Sequence, residues 1–389
     1  MQFERWLRAE FVDMNTELEQ AYFDARCEIV FDRAELDRTR RAILRDGAVL
    51  IARIAEMHQV GSDTGEQYQL LGAVGFYLAA CRRHEVDRLD AANAECLVPA
   101  WSLANRLGMS LGVAPRYVFA HQSTHNPAVS GVYRRFTSLP DEQIFVTHNA
   151  LGVLAYQRAA HALRAIPAMG VSSPMAAYQL EQARGSLEDV LRFNRALHDT
   201  LDVDRFFYNI RPYFKPYRVG ERECRGTNAG DFAAVNEIDL LLGLGSPSDP
   251  FYQQVLGEKY PYLPPEDQPR LRDALAGASM LDRFLTEASA APVAAQLRDN
   301  GELFLAVCRA HGAAYTFHHH QLVKPFLEQP AATAPPDRLA DLTASGPPLR
   351  VVMAGLERLS HLRAARDRPG LTTARASLAE LRALLHRDP

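Results

Sequence analysis

Three consecutive histidines stand inside an apolar stretch of the chain, YTFHHHQLVKPFL at positions 315–327. If residues 303–327 form a helix, spacings of three and four place His319 on one face with Tyr315, Leu322, Val323 and Phe326. A neutral imidazole in such a stripe either bonds a carbonyl in the core or holds a haem iron through one ring nitrogen. A zinc site is less suitable, because adjacent helical side chains cannot converge on one ion. The spacing alone leaves both histidine roles open.

Helices must position these histidines, because apolar residues recur at three- and four-residue spacing through most of the sequence. The segments with this pattern are residues 34–57, 68–84, 91–111, 143–165, 176–201, 233–244 and 268–288. Alternating β-branched runs of strand length are nearly absent. The pattern predicts an all-α fold, with one large helical domain preceded by a smaller helical N-terminal region.

Three irregular stretches interrupt the helical pattern. They are residues 121–140, rich in turn-forming and polar side chains, residues 215–231, a polar loop with three glycines, and residues 329–348, rich in Pro and Ala. Loops of this length in a compact helical protein often form lids or binding loops, although each can also be a plain connector.

Composition narrows the class of protein. The 389 residues are 47% hydrophobic and 23% charged, with a formal net charge of −4, which is typical of a soluble globular chain and argues against an extended nucleic-acid surface. No apolar stretch reaches membrane-spanning length, and the start MQFERWLRAEFVD does not have the pattern of a signal peptide. Five scattered cysteines without a C-x-x-C pair indicate reduced thiols. We therefore expect a cytoplasmic protein that binds neither membrane nor nucleic acid.

A set of ordered motifs resembles the indoleamine 2,3-dioxygenase-like haem proteins. Residues 204–245 contain an F-F-x-x-x-R segment, a glycine-rich G-x-x-A-G loop at 226–230, and a helix ending in L-L-G at 241–243. A tyrosine-to-double-proline segment follows at 260–265, and residues 319–323 match the H-x-x-[ILM]-V pattern of the family's haem-binding histidine. Family members commonly have an arginine three residues before that histidine, where this chain has Thr316.

Within this family the chain is most similar to the monodechloroaminopyrrolnitrin synthase branch, the ring-rearranging enzymes of pyrrolnitrin biosynthesis. The similarity lies in VGFYLAACRRH at 74–84, in Asn126-Pro127 followed by TSLPDE at 137–142, and in RPYFKPYRVG at 211–220. The resemblance implies an indoleamine 2,3-dioxygenase-like fold, with an N-terminal helical region at 1–112 and a haem-binding catalytic domain at 113–389. It also implies a haem b whose iron is bound by His319.

The resemblance further assigns residues to substrate binding. Arg211 matches the family arginine that binds the substrate carboxylate, a task that suits a planar, permanently charged guanidinium. A buried structural ion pair is the alternative role for this arginine. Phe206 and Phe207 match pocket-wall residues that can stack on an aromatic ring, although core residues have the same pattern. The remaining matches are in two mobile loops, at Thr227 and Asn228 and at Ser345.

Two further segments match the roof above the haem, residues 118–123 and 144–148. They place Phe119, Gln122 and Ser123 in the pocket lining, and they place His148 where relatives have a small polar residue. An imidazole there can accept a hydrogen bond from an indole or phenol group, or act as a base near neutral pH. The alternative is a buried histidine with a structural partner.

These observations predict a haem-dependent oxygenase that oxidises or rearranges the ring of an aromatic amino acid, tryptophan or a derivative, with O₂ or H₂O₂ as co-substrate. One alternative is a haem-dependent hydroxylase or N-oxygenase of another amino acid that uses peroxide. The other is a haem-based sensor or ligand-binding protein without turnover. Arg211 and the 226–230 loop favour an enzyme, because a sensor has no need to bind a carboxylate.

Overall fold

The protein is described by a computed structural model that covers residues 2–30, 33–57, 63–86, 91–290, 292–333, 343 and 347–387. The predicted all-α class is confirmed, since helices account for most of these residues. The N-terminal helices are α1 Gln2–Arg8, α2 Glu10–Asp24, α3 Ala34–Met57, α4 Thr64–Arg83 and α5 Ala91–Leu111. The central ones are α6 Pro140–Met169, α7 Pro174–Thr200, α8 Val203–Arg205 and α9 Ala234–Leu242.

The remaining helices are α10 Pro250–Lys259, α11 Asp267–Ala276, α12 Met280–Ser289, α13 Ala295–Phe317, α14 Lys324–Thr333, α15 Leu349–Arg363 and α16 Arg375–Leu385. Two π-helical turns occur at Phe206–Ile210 and His318–Val323, and short 3-10 turns at Phe119–His121, Arg211–Phe214 and Tyr260–Tyr262. No helix within these ranges combines the length and the apolarity that crossing a bilayer requires.

The segment predicted at 268–288 is divided between α11 and α12. Helix α11 ends before Gly277, whose backbone is extended with ψ of 153°. The Ser279 side chain then accepts a hydrogen bond from the Asp282 amide at 3.1 Å and begins α12 as its N-cap. The apolar spacing continues across this break, so periodicity alone does not show it.

A β-hairpin occupies part of the stretch predicted to be a polar loop at 215–231. Strand β1, Tyr217–Val219, pairs antiparallel with β2, Arg222–Cys224. Gly220 begins the two-residue turn with φ of 64°, a conformation that glycine adopts without steric cost. Three-residue strands are too short to show alternation clearly, which explains why the sequence did not predict them.

Two large apolar clusters form the core. The first joins α1–α5 to the segments around Phe119, Phe145 and Phe214 and to Leu322 and Phe326 near the start of α14. The second joins α6 and α7 to α9–α13, α15 and α16. The first cluster contains residues from both sides of position 112, and the division of the chain there stays a prediction.

Candidate active site

The histidine triplet lies on a π-helical turn, His318–Val323, between α13 and α14. A π-turn contains an additional residue and so rotates the side chains that follow it relative to a regular helix. His319 is only 3% exposed and Leu322 only 5%, whereas His320 is exposed to solvent. The continuous helix considered for 303–327 is therefore interrupted, yet His319 keeps the buried position that the apolar stripe predicts.

The His319 ring has a free nitrogen in the interior. Its Nδ1 is buried without a hydrogen-bond partner, and Nε2 makes no hydrogen bond to any described residue. Burial, reinforced by the neighbouring His320, lowers the pKa of His319. The imidazole is therefore neutral near pH 7, and a neutral imidazole is the form that binds a metal. One buried nitrogen without a partner also occurs in His121 and His311, so what distinguishes His319 is that neither of its nitrogens bonds a described residue. Such an imidazole is available to bind a haem iron.

Helix α15 runs past the His319 turn and was not among the elements assigned from sequence. The Oγ of Ser360 on this helix lies 3.4 Å from Oγ1 of Thr316, the residue three positions before His319. Glu357 and His361, whose side chains are 3.7 Å apart, both influence the pKa of His319. Helix α15 therefore lies close to His319 along its C-terminal half.

Asp239 holds α13 and α15 together in the interior. Its fully buried carboxylate accepts hydrogen bonds from Arg363 Nη2 at 2.7 Å, His311 Nε2 at 2.7 Å and Tyr252 OH at 2.9 Å. Burial raises the pKa of Asp239, but Arg363 and His311 outweigh it and lower that pKa below its ordinary value. This one carboxylate connects α9, α10, α13 and α15, so it fixes the helix that leads into the His319 turn and the helix that runs past it.

A chain of aromatic rings connects the predicted roof residues to the histidine segment. Ring centroids are 5.8 Å apart for Phe119 and Phe145, 5.3 Å for Phe145 and Phe206, and 5.7 Å for Phe206 and Phe326. Phe326 lies on α14, seven residues after His319, so the row of rings ends on the helix that follows the histidine turn. Phe145 completes this aromatic wall and was missed in the sequence, where it is one of many apolar residues on α6.

His148 lies one turn after Phe145 on α6 and is half-buried. Its Nδ1 donates a hydrogen bond to the Ile144 carbonyl at 2.9 Å. Because Nδ1 is the donor, Nε2 of the neutral ring is left as an acceptor. The side chain can therefore take a proton or a hydrogen bond through Nε2.

Gln122 and Ser123 are engaged in bonds within the protein. Gln122 Nε2 donates to Glu142 Oε1 at 2.6 Å, and its carbonyl accepts from the Tyr117 hydroxyl. Ser123 Oγ donates to the Phe119 carbonyl at 2.8 Å. The buried Glu142 also accepts from the amides of residues 136 and 137, so Gln122 helps to attach the 118–123 segment to the start of α6.

Arg211 is 1% exposed and forms an ion pair, the alternative that the sequence left open for it. Its Nη2 donates to Glu28 Oε1 at 2.9 Å, and its guanidinium lies 4.3 Å above the Phe207 ring. Lys215 Nζ donates to Glu28 Oε2 at 2.8 Å. Burial raises the pKa of Glu28, but Lys215 and Arg211 outweigh it and lower that pKa to about 2. Phe207 also packs against Leu349, the first residue of α15.

The glycine-rich loop is organised around Asp231. This buried carboxylate pairs with Arg225 at 2.9 Å and accepts from the Asn228 amide at 3.0 Å and from Thr227 Oγ1 at 3.3 Å. The Asn228 side chain accepts from the Gly230 amide at 2.8 Å. Thr227 is buried and Asn228 is exposed, so only Asn228 can turn toward a ligand without unfolding the loop.

The predicted site residues thus fall into three groups. Phe119 and Phe206 belong to one row of aromatic rings, with His148 one turn after Phe145, and His319 lies on the turn that precedes the helix of the last ring, Phe326. Arg211, Phe207, Gln122, Ser123, Thr227 and Asn228 make contacts within the protein, and their roles toward a substrate stay predictions. Ser345 lies outside the described residues.

The fold and this site define an all-α protein with a neutral, buried histidine on a π-turn and a row of aromatic side chains that ends on the helix after that turn. The model of the family described as monodechloroaminopyrrolnitrin synthase PrnB matches residues 1–385, and the chain belongs to that family. The family comprises haem-dependent oxygenases that act on tryptophan in pyrrolnitrin biosynthesis. The match confirms the branch that the sequence motifs predict.

Proposed function

We propose that this protein is a haem b-dependent oxygenase that oxidises or rearranges the ring of tryptophan or a close derivative, with His319 as the axial ligand. The observation that carries the proposal is the buried imidazole of His319, which is neutral and has no hydrogen-bond partner among the described residues on either nitrogen. His148, Arg211 and the 226–230 loop are the further residues proposed to act on the substrate.

Bound haem supplies the activation of O₂ or peroxide. The neutral imidazole of His319 would hold the iron of that haem. Phe119, Phe145 and Phe206 exclude water and offer faces or edges on which an indole ring can stack. An aromatic substrate therefore suits this wall better than an aliphatic one.

The proposed substrate contacts use atoms that the structure leaves accessible or able to exchange partners. His148 Nε2 accepts the indole N–H, because Nδ1 is already a donor to the Ile144 carbonyl. Arg211 takes the substrate carboxylate in exchange for Glu28, since both are carboxylates and the guanidinium fork fits either. The Asn228 side chain and the glycines around it can approach the amino acid backbone closely.

The test is a pair of variants of adjacent histidines, His319→Ala and His320→Ala, titrated with haem. We expect His319→Ala to lose stoichiometric haem binding and its Soret band, because the ligand nitrogen is gone. His320→Ala should bind one haem per chain with an unchanged spectrum, because that side chain is exposed. Product analysis with tryptophan by mass spectrometry then defines the reaction.

The ligand assignment is wrong if His319→Ala binds haem with the affinity and spectrum of the unmodified protein. If the unmodified protein binds haem but does not convert tryptophan, the substrate assignment fails while the fold and family stand.

A further inference from the structure

A concave site lies on the flank of α13, and none of the aromatic-wall residues lines it. It is a cavity of about 690 Å³ between α7, α13, the end of α15 and α16. Thr316 and His320 contribute to its lining, whereas His319 does not. Its size falls within the range of small-molecule pockets, roughly 300–1,000 Å³.

Four arginines give this cavity a positive rim: Arg195, Arg309, Arg366 and Arg382. All four are exposed, and none makes an ion pair with a described residue. No aspartate or glutamate is among the described residues that line the cavity. This local excess of positive charge contrasts with the net charge of −4 of the whole chain. Like charges that share a rim repel one another, and an anion between them removes that repulsion.

The floor of the cavity is apolar. Leu244, Leu305 and Cys308 are buried there, each at most 6% exposed. Burial raises the pKa of Cys308 to about 12, so its thiol is neutral and behaves as a small apolar group. Gly312 lets the end of α15 approach α13, because a Cβ there would lie 2.8 Å from the Arg363 carbonyl. The wall is thus made by close helix packing.

We propose that this cavity binds an organic anion with an apolar body, a carboxylate, phosphate or sulfonate on an aromatic or aliphatic frame. The apolar floor takes the body, and the arginine rim takes the anionic group through charge-assisted hydrogen bonds. This site is separate from the one proposed for haem and tryptophan and does not depend on it.

Equilibrium dialysis of the haem-loaded protein tests the proposal with two dyes. One is 8-anilinonaphthalene-1-sulfonate, and the other is N-phenyl-1-naphthylamine, which has the same body without the sulfonate. We expect one sulfonate site per chain that binds about tenfold more tightly than the neutral dye. The double variant Arg309→Gln/Arg366→Gln should lose about tenfold in affinity for the sulfonate and little for the neutral dye.

The matched control is Arg38→Gln/Arg41→Gln, which removes two exposed arginines of α3 outside the cavity and should leave binding unchanged. A further variant, Ala313→Trp, fills the cavity and should weaken both dyes. The proposal is overturned if the rim variant binds the sulfonate as tightly as the control does. It is also overturned if haem loading or L-tryptophan abolishes sulfonate binding, because the dye then occupies the haem and substrate site.

Discussion

Comparison of two buried histidines shows what is unusual about His319. Burial lowers the pKa of both His84 and His319. His84, however, has partners on both nitrogens, with Nε2 2.7 Å from Asn15 Oδ1 and Nδ1 3.2 Å from Tyr22 OH. His121 and His311 each have one buried nitrogen without a partner, but each bonds through its other nitrogen. Neither nitrogen of His319 bonds a described residue, and this distinguishes it from the structural histidines.

Arg211 allows a test of substrate binding at the level of one residue. If it exchanges Glu28 for the substrate carboxylate, Arg211→Gln should weaken binding of L-tryptophan by about 10- to 100-fold, the effect of losing a charged hydrogen-bond pair. Glu28→Gln should strengthen it, because the competing carboxylate is gone. Spectral titration of the haem-loaded variants measures both effects.

Indole serves as the control ligand, because it has the ring of tryptophan without the carboxylate. Its affinity should be the same in Arg211→Gln and in the unmodified protein. An equal loss for indole and tryptophan would mean that Arg211 and Glu28 form only a structural pair.

At the scale of helices, the contact between α13 and α15 anchors the helix that leads into the π-turn. The Asp239 carboxylate binds side chains of both helices, and Gly312 permits their backbones to approach. Thr316 and His319 then follow on the same stretch of chain. The position of the candidate ligand thus depends on packing one or two turns away from it.

The variant Gly312→Ala tests this packing. A Cβ at residue 312 would lie 2.8 Å from the Arg363 carbonyl and 3.0 Å from Ala364 Cα, so the helices must separate. We expect the free energy of unfolding to fall by about 1–3 kcal/mol, as for other overpacked sites. Gly185→Ala on α7 is the control, because its Cβ meets nothing within 4 Å and alanine favours helix by about 1 kcal/mol. Denaturant unfolding followed by circular dichroism measures both, and equal stability changes would contradict the close-packing account.

Across the whole molecule, ion pairs connect segments that are distant in sequence. Arg363 binds Asp239 from 124 residues away, and Lys215 binds Glu28 from 187 residues away. Both carboxylates have pKa values below their ordinary ones. These contacts hold the C-terminal helices and the N-terminal region to the centre of the chain.

Stability should therefore fall in acid. In the unfolded chain Glu28 has its ordinary pKa of 4.5, whereas in the folded protein its pKa is about 2. The unfolded chain therefore takes up a proton at a higher pH than the folded protein does. The stabilisation is present above pH 4.5 and is lost as pH falls through this window. Unfolding measured from pH 6 to pH 3 should show a smaller pH slope for Glu28→Gln than for the unmodified protein. An unchanged slope would show that this pair does not contribute.

Much of the fold follows from local sequence pattern. Helices α3 and α5 have the predicted bounds, because apolar spacing over five or six turns is decided by neighbours within the helix. Breaks and short elements are harder to predict, as the division at Gly277 and the hairpin at 217–224 show. In both cases a turn or a pairing, rather than periodicity, decides the outcome.

For the candidate site, the sequence by itself determined the family, the all-α class and the burial of His319. The order of the motifs indicates the family, and the spacing of apolar residues predicts the helices and the buried face of His319. Only the tertiary structure decided that Arg211 binds Glu28, that Gln122 binds Glu142, that Phe145 joins the aromatic wall and that α15 lies beside His319. Some of these partners are more than 100 residues apart. A charge or a ring indicates what it can bind, but packing of the whole chain determines which partner comes within reach.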